Sequence, residues 1–399
     1  MRESPVFSRR IPTDLRPNLI TQARRRLGTP PFDLTVSNPT SCGIPYPEDL
    51  LAPLADPAGL RYRPDPRGLR SAREAIAAEY GRGGARVDPN RVVLTASTSE
   101  AYTFLFKLLC APGESVLAPV PSYPLFEHLA GLEAVELVPY RLHAGLAWRS
   151  DTAELDEAPQ TTRAVVVVHP NNPTGSPVHP EDGASLVSRC ADRGWALIAD
   201  EVFLDYILED SGPAPRSFAA TSACLTFTLG GLSKSVGLPQ LKLAWIVVGG
   251  PDAVVDATLE RLDYVADAFL SVATPVQLAL PSLLAQGRPV REAIRARCRA
   301  NLDALVAAVG DVPAVTLHRP RGGWSAVLRV PAVMSEEELV LELLERDGVA
   351  VHPGYFFDFA GEAWMVVSLL PPERTFNEGV RRLLRRIASK LDARPQASR

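Results

Sequence analysis

The sequence predicts an α/β protein, with a mostly parallel sheet of the seven-stranded type in a large domain and a smaller α+β domain beside it. Three observations lead there. Apolar, β-branched runs such as Ala164-Val-Val-Val-Val168 are continuous rather than alternating, as in strands covered on both faces. Between Val92 and Val248 such runs take turns with stretches of helical spacing, the pattern of parallel strands joined by crossover helices. Past about residue 285 the chain changes to Arg-rich amphipathic helix and shorter strand-like pieces.

The elements follow in order. The Arg-rich start holds a short helix around Arg24-Arg25-Arg26, read as a solvated face. Pro31 to Thr40 begins as a strand and breaks at Asn38-Pro39. Helical spacing runs from Leu69 to Tyr80 and ends at Gly81. Strands are expected from Val92 to Leu94, Ser115 to Ala118, Ala164 to Val168, Ala196 to Ala199, Cys224 to Leu229 and Leu241 to Val248. Helices are expected from Ser99 to Cys110, Pro124 to Ala130 and Ser185 to Arg193. In the last part, helices from Arg288 to Val309, Ser335 to Arg346 and Phe376 to Leu391 enclose strand-like pieces at Val315 to His318, Trp324 to Val330 and Met365 to Leu370. The expected division is 1–50 as an N-terminal arm and part of the small domain, 51–285 as the large domain, and 286–399 as the small C-terminal domain.

A chain of 399 residues can bury a large core. A net charge of -4 gives no electrostatic reason to expect nucleic acid or an anionic membrane as partner. The five cysteines (Cys42, Cys110, Cys190, Cys224, Cys298) are scattered and form no C-x-x-C pair, so neither a disulfide framework nor a metal site is expected. With cysteines so used, a reducing, cytoplasmic setting is expected. No apolar run reaches membrane-spanning length, and the Arg-rich N-terminus has no signal-like apolar core.

In open α/β sheets, ligands collect beyond the carboxyl ends of the strands. After Val92 to Leu94 comes Thr95-Ala-Ser-Thr-Ser-Glu-Ala101, hydroxyls opening a helix: a phosphate cradle, or simple N-capping with Glu100 in a capping box. After Ser115 to Ala118, Pro119-Val-Pro-Ser-Tyr-Pro124 holds Tyr123 on a stiff loop. After Ala164 to Val168, His169-Pro-Asn-Asn-Pro-Thr-Gly175 carries two adjacent amides. After Ala196 to Ala199 comes Asp200-Glu201, a carboxylate at a buried strand end that needs a partner. The stretch Gly230-Gly-Leu-Ser-Lys-Ser-Val-Gly237 then places one of the chain's four lysines among small residues between two buried runs, where it could form a Schiff base with a carbonyl cofactor.

Cradle, aromatic plate, amide, buried acid and lysine are the parts that hold a phosphorylated pyridine aldehyde. Over nearly the whole length, from about Asp33 to Leu391, the chain resembles fold-type I, pyridoxal 5'-phosphate-dependent aminotransferases of class I/II, the aspartate and alanine aminotransferase type. The resemblance implies that Lys234 holds the cofactor as a Schiff base and then moves a proton. It implies that Asp200 pairs with the pyridinium nitrogen, Asn172 bonds the ring oxygen and meets substrate, and Tyr123 stacks on the ring. Thr98, Ser99, Ser233 and Lys242 would hold the phosphate. Tyr62 matches the tyrosine that family members lend to the neighbouring subunit, so a homodimer with shared active sites is implied.

The chain departs from the family at four positions. Phe203 stands where the family has a phenol, which removes a donor to the ring oxygen, and Tyr206 lies farther on. Gly231 replaces a serine, and Lys242 replaces an arginine, keeping charge but losing the bidentate fork. Val366 falls where the family places the arginine that grips the substrate α-carboxylate; Arg374, Arg321 and Arg329 are the alternatives, and Arg374 is taken as substrate-binding. Three functions are therefore compared. The first is an aminotransferase acting between an amino acid and a 2-oxo acid. The second is an eliminase, lyase or cyclase of a specialised pathway on the same scaffold, suggested by Phe203 and Val366. The third is a regulatory or scaffold protein that only binds the cofactor.

Overall fold

A computed structural model describes residues 6–209, 215–270 and 272–392. Its centre is an eight-stranded sheet. Across it the order is Val92–Thr95, Ala244–Gly249, Thr226–Gly231, Ala196–Asp200, Thr162–Val168, Ser115–Val120, Glu136–His143 and Arg149–Ser150. Ala244–Gly249 runs antiparallel to both neighbours and the two-residue Arg149–Ser150 edge is antiparallel, while the four pairings between are parallel. The continuous apolar runs are central strands: Val165, Val166, Leu197, Ile198 and Phe227 are fully buried.

A second, four-stranded antiparallel sheet has the order Thr316–His318, Ser325–Arg329, Trp364–Ser368, His352–Pro353. The N-terminal segment is stitched to this C-terminal part. Phe32–Asp33 pairs in parallel with Val349–Ala350, and the Ser368 N–H donates to the Leu34 carbonyl at 2.7 Å. The long helix Glu373–Asp392 lays Phe376, Val380 and Leu383 on the same core as Leu34 and Leu302.

The structure departs from the sequence reading where the apolar signal is mixed or unbroken. Glu136–His143 is a strand that carries charged residues along a partly exposed edge, so it shows no continuous apolar run. Helices Asp252–Phe269 and Thr274–Gln286 were not foreseen; the second is apolar on most sides and contains Pro281, which hides its period. The expected strand from Leu241 starts only at Ala244, because Pro239–Leu241 forms a 3-10 turn and Lys242 takes a left-handed conformation. The expected helix from Ser335 is α-helical over Glu336–Glu342, behind a Ser335/Glu338 capping box, and passes into a π turn at Leu343–Asp347.

Candidate active site

The carboxyl ends of the central strands face a cavity of about 310 Å³. Thr98, Tyr123, Asn172, Asp200, Ser233 and Lys234 line it from the large-sheet side. Thr35 and Ser37 of the N-terminal segment and Ser325, His352, Val366 and Ser368 of the small sheet line it from the other. Phe203, Trp324, Phe356 and Phe357 fill the margins.

Asp200 ends the strand Ala196–Asp200 and is buried. Its Oδ2 accepts from the Tyr102 hydroxyl at 3.1 Å and its Oδ1 from the Val202 N–H at 3.2 Å. Burial pushes its carboxyl up to about 6, against the opposing pull of those two donors and of the Lys234 ammonium. Strand alternation sends the adjacent Glu201 the other way. There it accepts from the Ser217 hydroxyl and the Phe218 N–H, and it borders a separate cleft of about 670 Å³ behind the lysine loop.

Lys234 sits on the one-turn helix Leu232–Ser235 that follows Thr226–Gly231. Its Nζ lies 4.6 Å from the Trp324 ring centroid and 5.4 Å from that of Phe203. Burial brings its ammonium down to about 8, and Asp200 resists the shift. Tyr206 does not line the cavity. It is fully buried behind it and donates its hydroxyl to the Lys234 carbonyl, fixing the loop from the rear. Gly230 is required by contact: a Cβ there would come 2.6 Å from Trp245 Nε1.

Thr98 opens the helix Thr98–Leu109, whose N-cap is Ser97; the Ser97 hydroxyl accepts from the Glu100 N–H at 3.1 Å. Capping and cavity lining coexist here: Ser97 caps the Glu100 N–H, Glu100 accepts from the Ala96 N–H at 2.5 Å, and Thr98 lines the cavity. Of the two amides, Asn172 lines the cavity. Asn171 is buried beneath, donating to the Pro121 carbonyl and Thr174 hydroxyl and accepting from Ser122. Gly175, at φ +67°, seats this turn against the other wall: its carbonyl accepts from the Arg321 and Gly322 N–H groups at 3.1 and 2.9 Å.

Four expected site residues lie outside the lining. Ser99 is half-buried and does not line the cavity. Lys242 is exposed at φ 50°, because the turn before Ala244–Gly249 carries it out of the strand. Tyr62 is 71% exposed and does not reach the cavity of its own chain. Arg374 is exposed on the first turn of the last helix, beyond the Pro371-Pro372 bend, and does not line the cavity. Nor do the other arginines: Arg321 borders two clefts elsewhere, and the Arg329 guanidinium lies 4.3 Å over the Trp364 ring.

Sequence reasoning missed Tyr102, Trp324, His352, Ser325, Ser368, Thr35 and Ser37. Tyr102 alone left a trace, a phenol in a helix that otherwise buries Ala101, Phe104, Leu105 and Phe106. The others come from distant segments of the chain, and no spacing links them. Among the described residues no group of three or more His, Cys, Asp or Glu could hold a metal ion, and no single helix is long and apolar enough to cross a membrane.

Known proteins share this sequence pattern and fold. The family profile "Aminotransferase class I and II" matches residues 50–383. The glutamate-pyruvate aminotransferase AlaA of Haemophilus influenzae is 26% identical over 88% of this chain and 89% of its own. The arginine–pyruvate transaminase AruH of Pseudomonas aeruginosa is 28% identical over 82% of each chain. The solved structure of an Escherichia coli aminotransferase superposes with a TM-score of 0.85 at 25% identity, covering 96% of this chain and 99% of that one. With a family match across most of its length, this chain belongs to the class I and II aminotransferases, enzymes that use pyridoxal 5'-phosphate to exchange amino groups between amino acids and 2-oxo acids.

Proposed function

We propose that this chain carries pyridoxal 5'-phosphate on Lys234 and moves amino groups between amino acids, or amino-acid derivatives, and 2-oxo acids. The observation that carries this reading is a buried carboxylate and a depressed lysine in one cavity. Asp200, without an ion-pair partner within 4 Å among the described residues, faces the same space as Lys234. The group fits what is there. A protonated ring nitrogen would supply Asp200 with the cation it lacks. Tyr123 and Asn172 would hold the ring, and Thr98, Ser233 and the helix N-terminus would hold the phosphate.

When bound, the cofactor supplies a carbonyl for the amino group and a ring that withdraws electrons. The remaining work falls to the chain. Tyr102 and Val202 keep Asp200 ionised above about pH 6. Lys234, brought down to about 8, exchanges a proton readily near neutral pH, so its Nζ can take and return the proton on the carbon that bears the amino group. Phe203 and Trp324 dry its surroundings and leave it no competing hydrogen-bond acceptor from those two side chains.

We further infer a homodimer and a cytoplasmic setting. Leu60, Tyr62, Tyr264 and Leu270 are 67–90% exposed apolar side chains that a second copy would cover, with Tyr62 reaching toward the neighbour's cofactor. Five free cysteines, four of them buried, suit a reducing compartment. Phe203 and Val366 in the cavity favour elimination or cyclisation as a second reading.

One spectroscopic experiment tests the proposal. Cofactor added to the purified protein should produce a visible absorption band that is absent in Lys234→Ala. Amino compounds should bleach the band and a 2-oxo acid restore it. A bleached band that returns without a 2-oxo acid, with ammonia released, would favour elimination. No band in the wild type would overturn the assignment of Lys234.

A further inference from the structure

The charge of the cavity wall opposite Lys234 bears on the substrate, and the inference rests on the transamination reading above. Among the described lining residues the only cationic or titratable basic groups are Lys234 and His352, against the Asp200 carboxylate. Among the described residues no arginine lines the cavity. Lys234 is committed to the cofactor, which leaves His352 as the only basic group available to a substrate.

His352 is set up as a neutral group. It pairs in register with Val366 on the neighbouring strand, and its ring lies 5.7 Å from that of Phe357 and 5.9 Å from that of Phe356. Burial lowers its pKa most. Asp33 and the Thr35 backbone pull upward and Arg24 pulls down, but Asp33 is already paired with Arg24 at 2.5 Å. The imidazole therefore stays uncharged near neutral pH. Beside it, Ser325 and Ser368 face each other across the antiparallel pair. Phe356, Phe357, Trp324 and Val366 complete the wall. Hydroxyls and a neutral imidazole can hydrogen-bond an oxygen or nitrogen, but they do not neutralise a carboxylate. A carboxylate enclosed here with no cation would carry the cost of an unpaired buried charge.

We propose that the preferred amino substrate carries an uncharged hydrogen-bonding group — an amide, ester or alcohol — where an ordinary amino acid carries its α-carboxylate, together with an apolar or aromatic body. His352, Ser325 and Ser368 are the specificity-determining residues for that group, and the rings of Phe356, Phe357 and Trp324 receive the body.

The test compares ligands that cannot react. 3-Phenylpropanamide and 3-phenylpropanoate, which have no amino group, are titrated calorimetrically into the cofactor-loaded protein. The amide should bind about tenfold or more tightly than the acid. In half-reactions followed by loss of the visible band, phenylalaninamide and phenylalaninol should exceed phenylalanine in kcat/KM by a similar factor. Val366→Arg should reverse the order of the two titrated ligands, and retention of the visible band reports that this variant still folds and carries cofactor. His352→Gln should keep the amide preference and His352→Phe should lose most of it. Equal or tighter binding of the acid to the wild type would overturn the proposal, because a guanidinium would then have to reach the site from a neighbouring subunit. Binding of neither ligand would overturn it too. Failure of the band to form at all is a different result, since it strikes the Lys234 assignment rather than the substrate class.

Discussion

On the large-sheet side of the cavity, polar residues from five separate strand ends meet: Thr98, Tyr123, Asn172, Asp200 and the Ser233-Lys234 pair. On the small-sheet side the wall is Val366, two serines, a neutral imidazole and phenylalanine rings. The first side is charged and internally braced, with Tyr102 and Val202 on Asp200 and Tyr206 on the lysine loop. Among its described lining residues the second side holds no charged group near neutral pH. The contrast separates two tasks. On the proposed function, one wall would hold chemistry that does not change from substrate to substrate, which needs fixed charges at fixed places. The other would meet the variable part of the substrate, where shape and neutral hydrogen bonds can suffice.

Breaking the charged wall should cost most. Lys234→Ala should lower turnover by about four orders of magnitude and remove the visible band while leaving the fold intact, measured by single-turnover kinetics and circular dichroism. Asp200→Asn keeps the shape and removes the charge. It should cost on the order of a hundredfold or more in kcat, with cofactor still captured, because the ring would lose its fixed counter-charge. If Asn at 200 left kcat unchanged, the division between the two walls would be wrong.

The hinge between the walls is the next place to press. At Gly175 a Cβ would come 2.4 Å from the Gly322 carbonyl oxygen, and the φ of +67° already disfavours a side chain. Gly175→Ala should destabilise the protein by about 2 kcal/mol or more, seen as a lower urea midpoint at unchanged m-value. A surface glycine such as Gly113, with nothing within 4 Å of its added Cβ, should show only the smaller strain of its own positive φ.

The smallest effect is a pH shift. Tyr102→Phe removes one of the donors that hold the Asp200 carboxyl down, so its pKa should rise above about 6. The acid limb of kcat/KM should then move to higher pH. A several-fold loss is expected near pH 6 and little near pH 8, because in both proteins Asp200 is ionised well above its pKa. A uniform loss at all pH values would mean that Tyr102 acts by packing rather than through the carboxylate.

How much of this could be read in advance follows from distance along the chain. Asp200, Asn172, Tyr123, Thr98, Ser233 and Lys234 each close an apolar run, so every one is marked by a local change from strand to turn. Val366, singled out by matching the family pattern along Trp364 to Leu369, also lines the cavity. His352, by contrast, sits on a two-residue strand between apolar residues and looks like any core histidine. Lys242 misled because sequence distance from Lys234 says nothing about a left-handed turn between them. Arg374 misled because a helix start beyond two prolines points its side chain to solvent.

By itself the sequence determined the parallel sheet, through continuous apolar runs that only a doubly covered strand can bury, and which polar residues line the cavity at the strand ends, because those residues are neighbours of the runs that position them. The tertiary structure alone decided what stands across from those residues. Thr35, Ser325, His352 and Val366 meet only because the N-terminal segment pairs with Val349–Ala350 and the small sheet folds its strands together. Contacts between residues hundreds of positions apart leave no periodicity, and so no mark, in a single chain.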